Sequence, residues 1–334
     1  MNTGNRYKLR HFIPWTRHRL YVMLAVSGIP TLLYYFLEWT WLAIPWVPVA
    51  LVGTAAAFIA GFRNTQTYNR MWEARQVWGA IVNNSRTWGI MVKDFVRSSH
   101  REDEQLLHRR LLYRHFAWLT ALRFQLREPK PWEHVKTKPY NREYLAYYSV
   151  PEWESDLAHE LKAYLAEDEC RQLLAATNWA AQLIAVQSQD LRKLHQDGRV
   201  SDLNYVEMVQ LLSSLYDQQG KCERIKNFPY PRQFASVSLY FVYTLVFLLP
   251  LGFLNEFSRI GPHYIWLTVP FSMLVGWVFL VLEQIGENTE NPFEGNANDI
   301  PITSMSRAIE IDLREMMGEK DLPEPIKPTN NILM

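Results

Sequence analysis

Two long apolar blocks, each almost free of charge, constrain this chain more than any other feature. Leu20 to Phe62 contains no Lys or Arg and only Glu38 as a charge; Gln233 to Leu282 contains only Glu256 and Arg259. One bilayer crossing takes ~20 apolar residues, so each block is long enough for two. Each also has a polar or Pro break near its middle. The expected spans are roughly 20–38 and 42–62, then 234–255 and 263–282. Buried hairpins of a soluble core would keep a polar face, and these segments show almost none. The mean hydropathy of −0.19 hides this uneven distribution. The stretch from Leu20 is too long for a signal-peptide core and runs on into a second span, so no cleaved leader is expected.

The remaining sequence divides accordingly: an N-terminal segment 1–19, a first span pair 20–62, a middle region 63–232, a second pair 233–283 and a C-terminal segment 284–334. Five basic residues precede the first span, twenty-five lie in 63–232 and four follow the last span. The two short connections share one, Arg259. Basic residues stay on the cytoplasmic side, so both termini and the middle region are expected in the cytoplasm of a cell inner or plasma membrane. Trp39, Trp41, Trp46 and Trp266 fall at the expected outer edges, where amphipathic rings are favoured. Cys170 and Cys222 are then expected as reduced thiols. The Asn83-Asn84-Ser85 glycosylation pattern should stay unmodified on that side. A net charge of +1 points to no nucleic-acid partner.

The pattern is helical throughout. Met71, Ala74, Trp78, Ile81, Ser85, Trp88 and Val92 recur at spacings of three and four, and no Pro intervenes between Pro48 and Pro129. The second span is therefore expected to continue as one helix to about Ser98. Further helices are expected near 102–126, 154–165, 167–196 and 201–226, with a looser Pro-containing stretch from Pro129 to Pro139. Met305, Ile309, Leu313 and Met316 mark a short amphipathic helix stopped by Gly318. The Pro-rich tail after it should be extended, either free or laid across a neighbouring subunit.

No enzyme constellation, metal spacing or phosphate-binding Gly-rich loop is present, so neither catalysis nor a cofactor is expected. His108 and His115, seven apart among arginines, read as a solvated face, and Glu167-Asp168-Glu169 as wet surface. The second span carries a more distinctive arrangement. Thr54, Phe58 and Phe62 lie four apart on one stripe, while Gly53, Ala55, Ala56, Ala57, Ala60 and Gly61 occupy the other faces. Small residues let helices approach closely in lipid. On spacing alone an ordinary packing face is the simpler reading of that stripe, and a bundle around a central axis is the other.

The run from Gly61 through Arg63, Asn64, Tyr68, Arg70, Trp72 and Glu73 to Trp78-Gly79 resembles the segment of bestrophins where the second span becomes an extramembrane helix. Asp217-Gln218-Gln219-Gly220 followed by Pro229 and Pro231 resembles that family's approach to the third span. Glu283-Gln284 with Asn291-Pro292-Phe293 resembles the region after the fourth, and the short tail is similar to the bacterial branch. The resemblance implies an all-α homopentamer, four spans per subunit, around one axial pore passing small monovalent ions through a lipid membrane. It implies a hydrophobic neck at Thr54, Phe58 and Phe62, where Thr54 departs from the bulky aliphatic residue of the family. It also implies a second constriction at Leu203 or Val200. Eukaryotic members bind activating Ca²⁺ with an acidic run after Asn-Pro-Phe. Its two ligand carboxylates correspond here to Asn296 and Asp299, so one is lost and Ca²⁺ gating is not expected. The sign of the permeant ion is left open. The rival expectation is a non-conducting membrane-anchored scaffold; a coupled transporter would need a charge mid-span, and none is present.

Overall fold

The computed structural model describes residues 1–7 and 9–334, and all regular secondary structure among them is helical. Helix α1 (Leu9–Phe36) begins well before the expected span and takes Arg10, Arg17 and Arg19 into its first turns. Helix α2 (Trp46–Phe95) has 50 residues and, at 1.5 Å per residue, is about 75 Å long. A membrane uses only ~20 of those residues, so more than half of α2 stands outside it. It stops close to the expected end, where Val96 turns extended.

The extramembrane region is built on the lower half of α2. Helix α3 (Arg101–Arg127) is almost wholly enclosed from Leu111 to Arg123, which corrects the solvated reading of His115, while His108 stays half-exposed. His115 is buried, accepts or donates a 2.8 Å hydrogen bond with Ser85 Oγ, and burial depresses its pKa to about 3. His108 bonds the Val96 carbonyl at 2.9 Å. The arginines of this helix are not all solvated: Arg114, Arg123 and Arg127 point inward to meet carboxylates. A short helix α4 (Pro139–Tyr144) follows the Pro-containing stretch, and α5 (Pro151–Glu154) and α6 (Leu157–Leu161) replace the expected 154–165 helix. Asp156 caps α6 through the His159 N–H, which ends one helix and starts the next. The expected 167–196 helix is likewise two, α7 (Glu167–Leu174) and α8 (Trp179–Gln196). Asn178 caps α8 by accepting from Ala181 N at 3.0 Å, a local bond that outcompetes helix continuation. Helix α9 (Asp202–Asn227) returns along α2, capped by Ser201.

Helix α10 (Arg232–Ile260) and helix α11 (Thr268–Thr289) recross the membrane region and pack on α1 and the upper half of α2. Among the described residues, four helices are long and apolar enough to cross a membrane: α1, α2, α10 and α11. Helix α12 (Ile302–Met316) then lays Ile302, Ile309 and Leu313 into the main core against α2 and α3. Gly318, at φ +78°, ends it as expected. That core is centred on Trp78, Ile81, Trp88, Leu111, Phe116 and Leu122. Both cysteines are buried free thiols.

The tail takes neither expected course. It returns to its own subunit, where Ile332 and Met334 are buried with Tyr144 and Tyr148. Its backbone bonds the N-terminal residues (Thr3 N to Asn331 O, 2.8 Å; Leu333 N to Met1 O, 2.9 Å) and α12 (Ser304 N to Met334 O, 2.8 Å). Apolar terminal side chains and unpaired backbone groups both gain partners by docking there.

Candidate ion pathway

Helix α2 has two opposed faces. Ala56, Ala60, Arg63, Thr67 and Ala74 are buried against α10, α11 and α9. On the other side Thr54, Phe58 and Phe62 are exposed, Phe58 to 75%. Thr54 returns its hydroxyl to the Ala50 carbonyl (2.9 Å), so its methyl is free to face outward with the rings. The outward stripe does not end with the membrane. Thr65, Asn69, Trp72 and Gln76 carry it down the extramembrane half of the helix, where lipid is absent. Ala57 and Gly61 flank it, both exposed, and nothing lies within 4 Å of a Cβ built on Gly61. That edge has the small-residue spacing that admits another helix closely.

The two candidates for the second constriction separate. Leu203, in the first turn of α9, is 81% exposed. Val200 is buried in the main core, drawn in by the turn between α8 and α9, and its carbonyl meets His195 Nδ1 at 3.2 Å. Of the two, only Leu203 is exposed on the subunit.

Where α2 leaves the membrane region, the structure gathers a charged cluster that the residue patterns did not single out. Arg63 is buried between Glu283 and Glu290, binding both, the latter at 3.1 Å. Ser238 donates to Glu283 at 2.7 Å, and Arg232 and His134 each meet Glu290 at 3.0 Å. Burial alone would raise the Glu290 pKa. The His134 hydrogen bond and the charges of Arg63 and Arg232 outweigh it and hold the group below the usual carboxylate range. Glu287 binds Lys138 at 2.7 Å and accepts from Tyr140. One signal was present: Arg63 and Glu283 are the first charged residues after the first and second apolar blocks.

The loop after α11 does not fit Ca²⁺, a hard cation that takes 6–8 oxygen ligands. Asp299 Oδ2 accepts the N–H groups of Gly295 (2.7 Å) and Asn296 (3.0 Å), and the Arg127 guanidinium stands 3.6 Å from it. Asn296 donates its amide to Asn288 Oδ1 at 2.8 Å. Burial, then repulsion from Asp299, raises the Glu294 pKa well above normal. An arginine thus already stands where a second cation would have to enter.

The sequence profile described as Bacterial/Fungal Bestrophin protein matches residues 12–315. The chain belongs to the bestrophin family. A voltage-dependent anion channel-forming protein of Escherichia coli K12, YneE, is 28% identical over 284 residues, covering 84% of this chain and 80% of that protein. A voltage-dependent anion channel-forming protein of Ralstonia nicotianae is 27% identical, covering 93% of this chain and 90% of its own. The crystal structure of a bacterial bestrophin homolog from Klebsiella pneumoniae superposes with a TM-score of 0.76 at 25% identity, covering 91% of this chain and 99% of that one. The two sequence relatives are named as channel-forming proteins, and this bestrophin is not an enzyme.

Proposed function

We propose that this bestrophin is a homopentameric channel for small monovalent ions in the bacterial inner membrane, with both termini and the extramembrane helices in the cytoplasm. The observation that carries the reading is the unbroken outward stripe of α2. A lipid-facing stripe would have no reason to continue into Thr65, Asn69 and Gln76, whereas a water-filled axis uses the whole length. Around five copies, Phe58 and Phe62 form a neck that gates by dewetting, and Leu203 forms a lower ring. The sign of the ion follows from ring orientation at the neck: ring edges are electropositive and favour anions, ring faces favour cations. The names of the curated relatives support the anion setting. Purified protein should have the mass of five subunits in detergent and carry chloride into liposomes; a stable monomer or dimer without flux would leave the scaffold reading.

Calcium has no part in this gating. Flux is expected to be equal in chelator and in micromolar Ca²⁺, because Asp299 is engaged by two N–H groups and Arg127. A steep rise across that range would overturn the assignment.

A further inference from the structure

A cavity of about 170 Å³ opens beside the charged cluster, between the membrane-exit ends of α1 and α10. It is smaller than the ~300–1,000 Å³ of a drug-sized ligand site, and it has room for one phosphate group and a few waters. Four permanent cations are gathered on it, Arg19, Arg63, Lys138 and Arg232, each from a different segment. The carboxylates nearby number three, Glu283, Glu287 and Glu290, so the site keeps a positive balance before His134 is counted. Arg19 accounts for the excess. Its contacts are neutral: Gln284 Oε1 at 3.4 Å, the Tyr243 hydroxyl at 3.5 Å and the Tyr140 ring at 5.9 Å. Arg63, though buried, has an Nε with no partner.

The position of the cavity identifies its ligand. Arg19 and Arg232 are the last basic residues before the two apolar blocks, so the cavity lies at headgroup depth. Its rim passes through Leu239 and the exposed Tyr243 onto the apolar surface of α10. A free anion needs no such rim, but acyl chains do. Basic pockets between spans on the cytoplasmic side suit anionic headgroups. We infer that this cavity seats the phosphate of a net-anionic phospholipid from the inner leaflet. The choice of leaflet rests on the orientation proposed above; the anion site does not, and neither depends on conduction.

Native mass spectrometry of the detergent-purified protein, given phosphatidylglycerol or phosphatidylcholine, tests this without any flux measurement. The parent should retain phosphatidylglycerol preferentially. Arg19→Gln should weaken that retention about fivefold, the effect of ~1 kcal/mol per basic residue at a membrane surface. Arg19→Lys should largely keep it, and Arg17→Gln, two residues away and paired with Glu143 instead, should leave it unchanged. Leu239→Glu, which sets a negative charge on the rim and spares the ion-pair network, should lose it as well. No preference in the parent, or preference surviving both Arg19→Gln and Leu239→Glu, would overturn the site. Millimolar inorganic phosphate displacing the lipid from the parent would make it a free-anion site and overturn the lipid assignment.

Discussion

Replacing Phe58 and Phe62 together by Ala is expected to raise ion flux while leaving the assembly intact. Truncating a packed Phe to Ala ordinarily costs ~3–5 kcal/mol, because the lost contacts leave a cavity. Neither ring is packed in that way. Phe58 is 75% exposed on the subunit, and Phe62, 46% exposed, has one aromatic neighbour, Phe234, with ring centroids 6.3 Å apart. Their removal therefore takes little from the subunit and, on the proposed axis, most of the barrier from the neck they form with Thr54. If the same face instead met lipid or another helix, the double variant would assemble poorly and gain no flux. Liposome flux and a size-exclusion profile separate the outcomes. An intact pentamer with unchanged flux and selectivity would mean that the axis lies against another face of α2.

Arg63→Met should have the largest effect on stability. Arg63 is enclosed between Glu283 and Glu290, and its loss leaves two buried carboxylates facing one another with Arg232 and His134 to compensate only the second. Breaking a buried ion pair from one side costs ~3–5 kcal/mol, far more than the pair itself contributes. The three residues also tie α2 to the last two turns of α11, from Glu283 to Glu290 at its C-terminal cap, so the damage falls where the spans meet the extramembrane region. Thermal unfolding in detergent should show the single variant strongly destabilised and Arg63→Met/Glu283→Gln partly recovered, since the second change removes an uncompensated charge. Equal stability of parent and single variant would show that water reaches this cluster and that its burial is lost in the assembled protein.

Much of this bestrophin was legible in its residues because the membrane is an unforgiving solvent. An unpaired charge or open backbone is so costly in hydrocarbon that Leu20–Phe62 and Gln233–Leu282 could only be spans, and the unbroken periodicity after Arg63 required α2 to run on below them. Thr54, Phe58 and Phe62 could be placed on one stripe by spacing alone. The tertiary structure decided matters that depend on partners distant in sequence. Whether an arginine on α3 meets water or a buried carboxylate depends on Glu152, Asp190 and Asp299, none of them within a helical turn. The breaks at Asp156 and Asn178 came from single side-chain caps that a periodic pattern cannot register. The tail was fixed by where Tyr144 and Tyr148 offered an apolar seat, and Val200 was withdrawn from the surface by one turn. Burial in hydrocarbon is a property of a segment and is written along it; pairing in the extramembrane core is a property of two segments, and only folding brings them together.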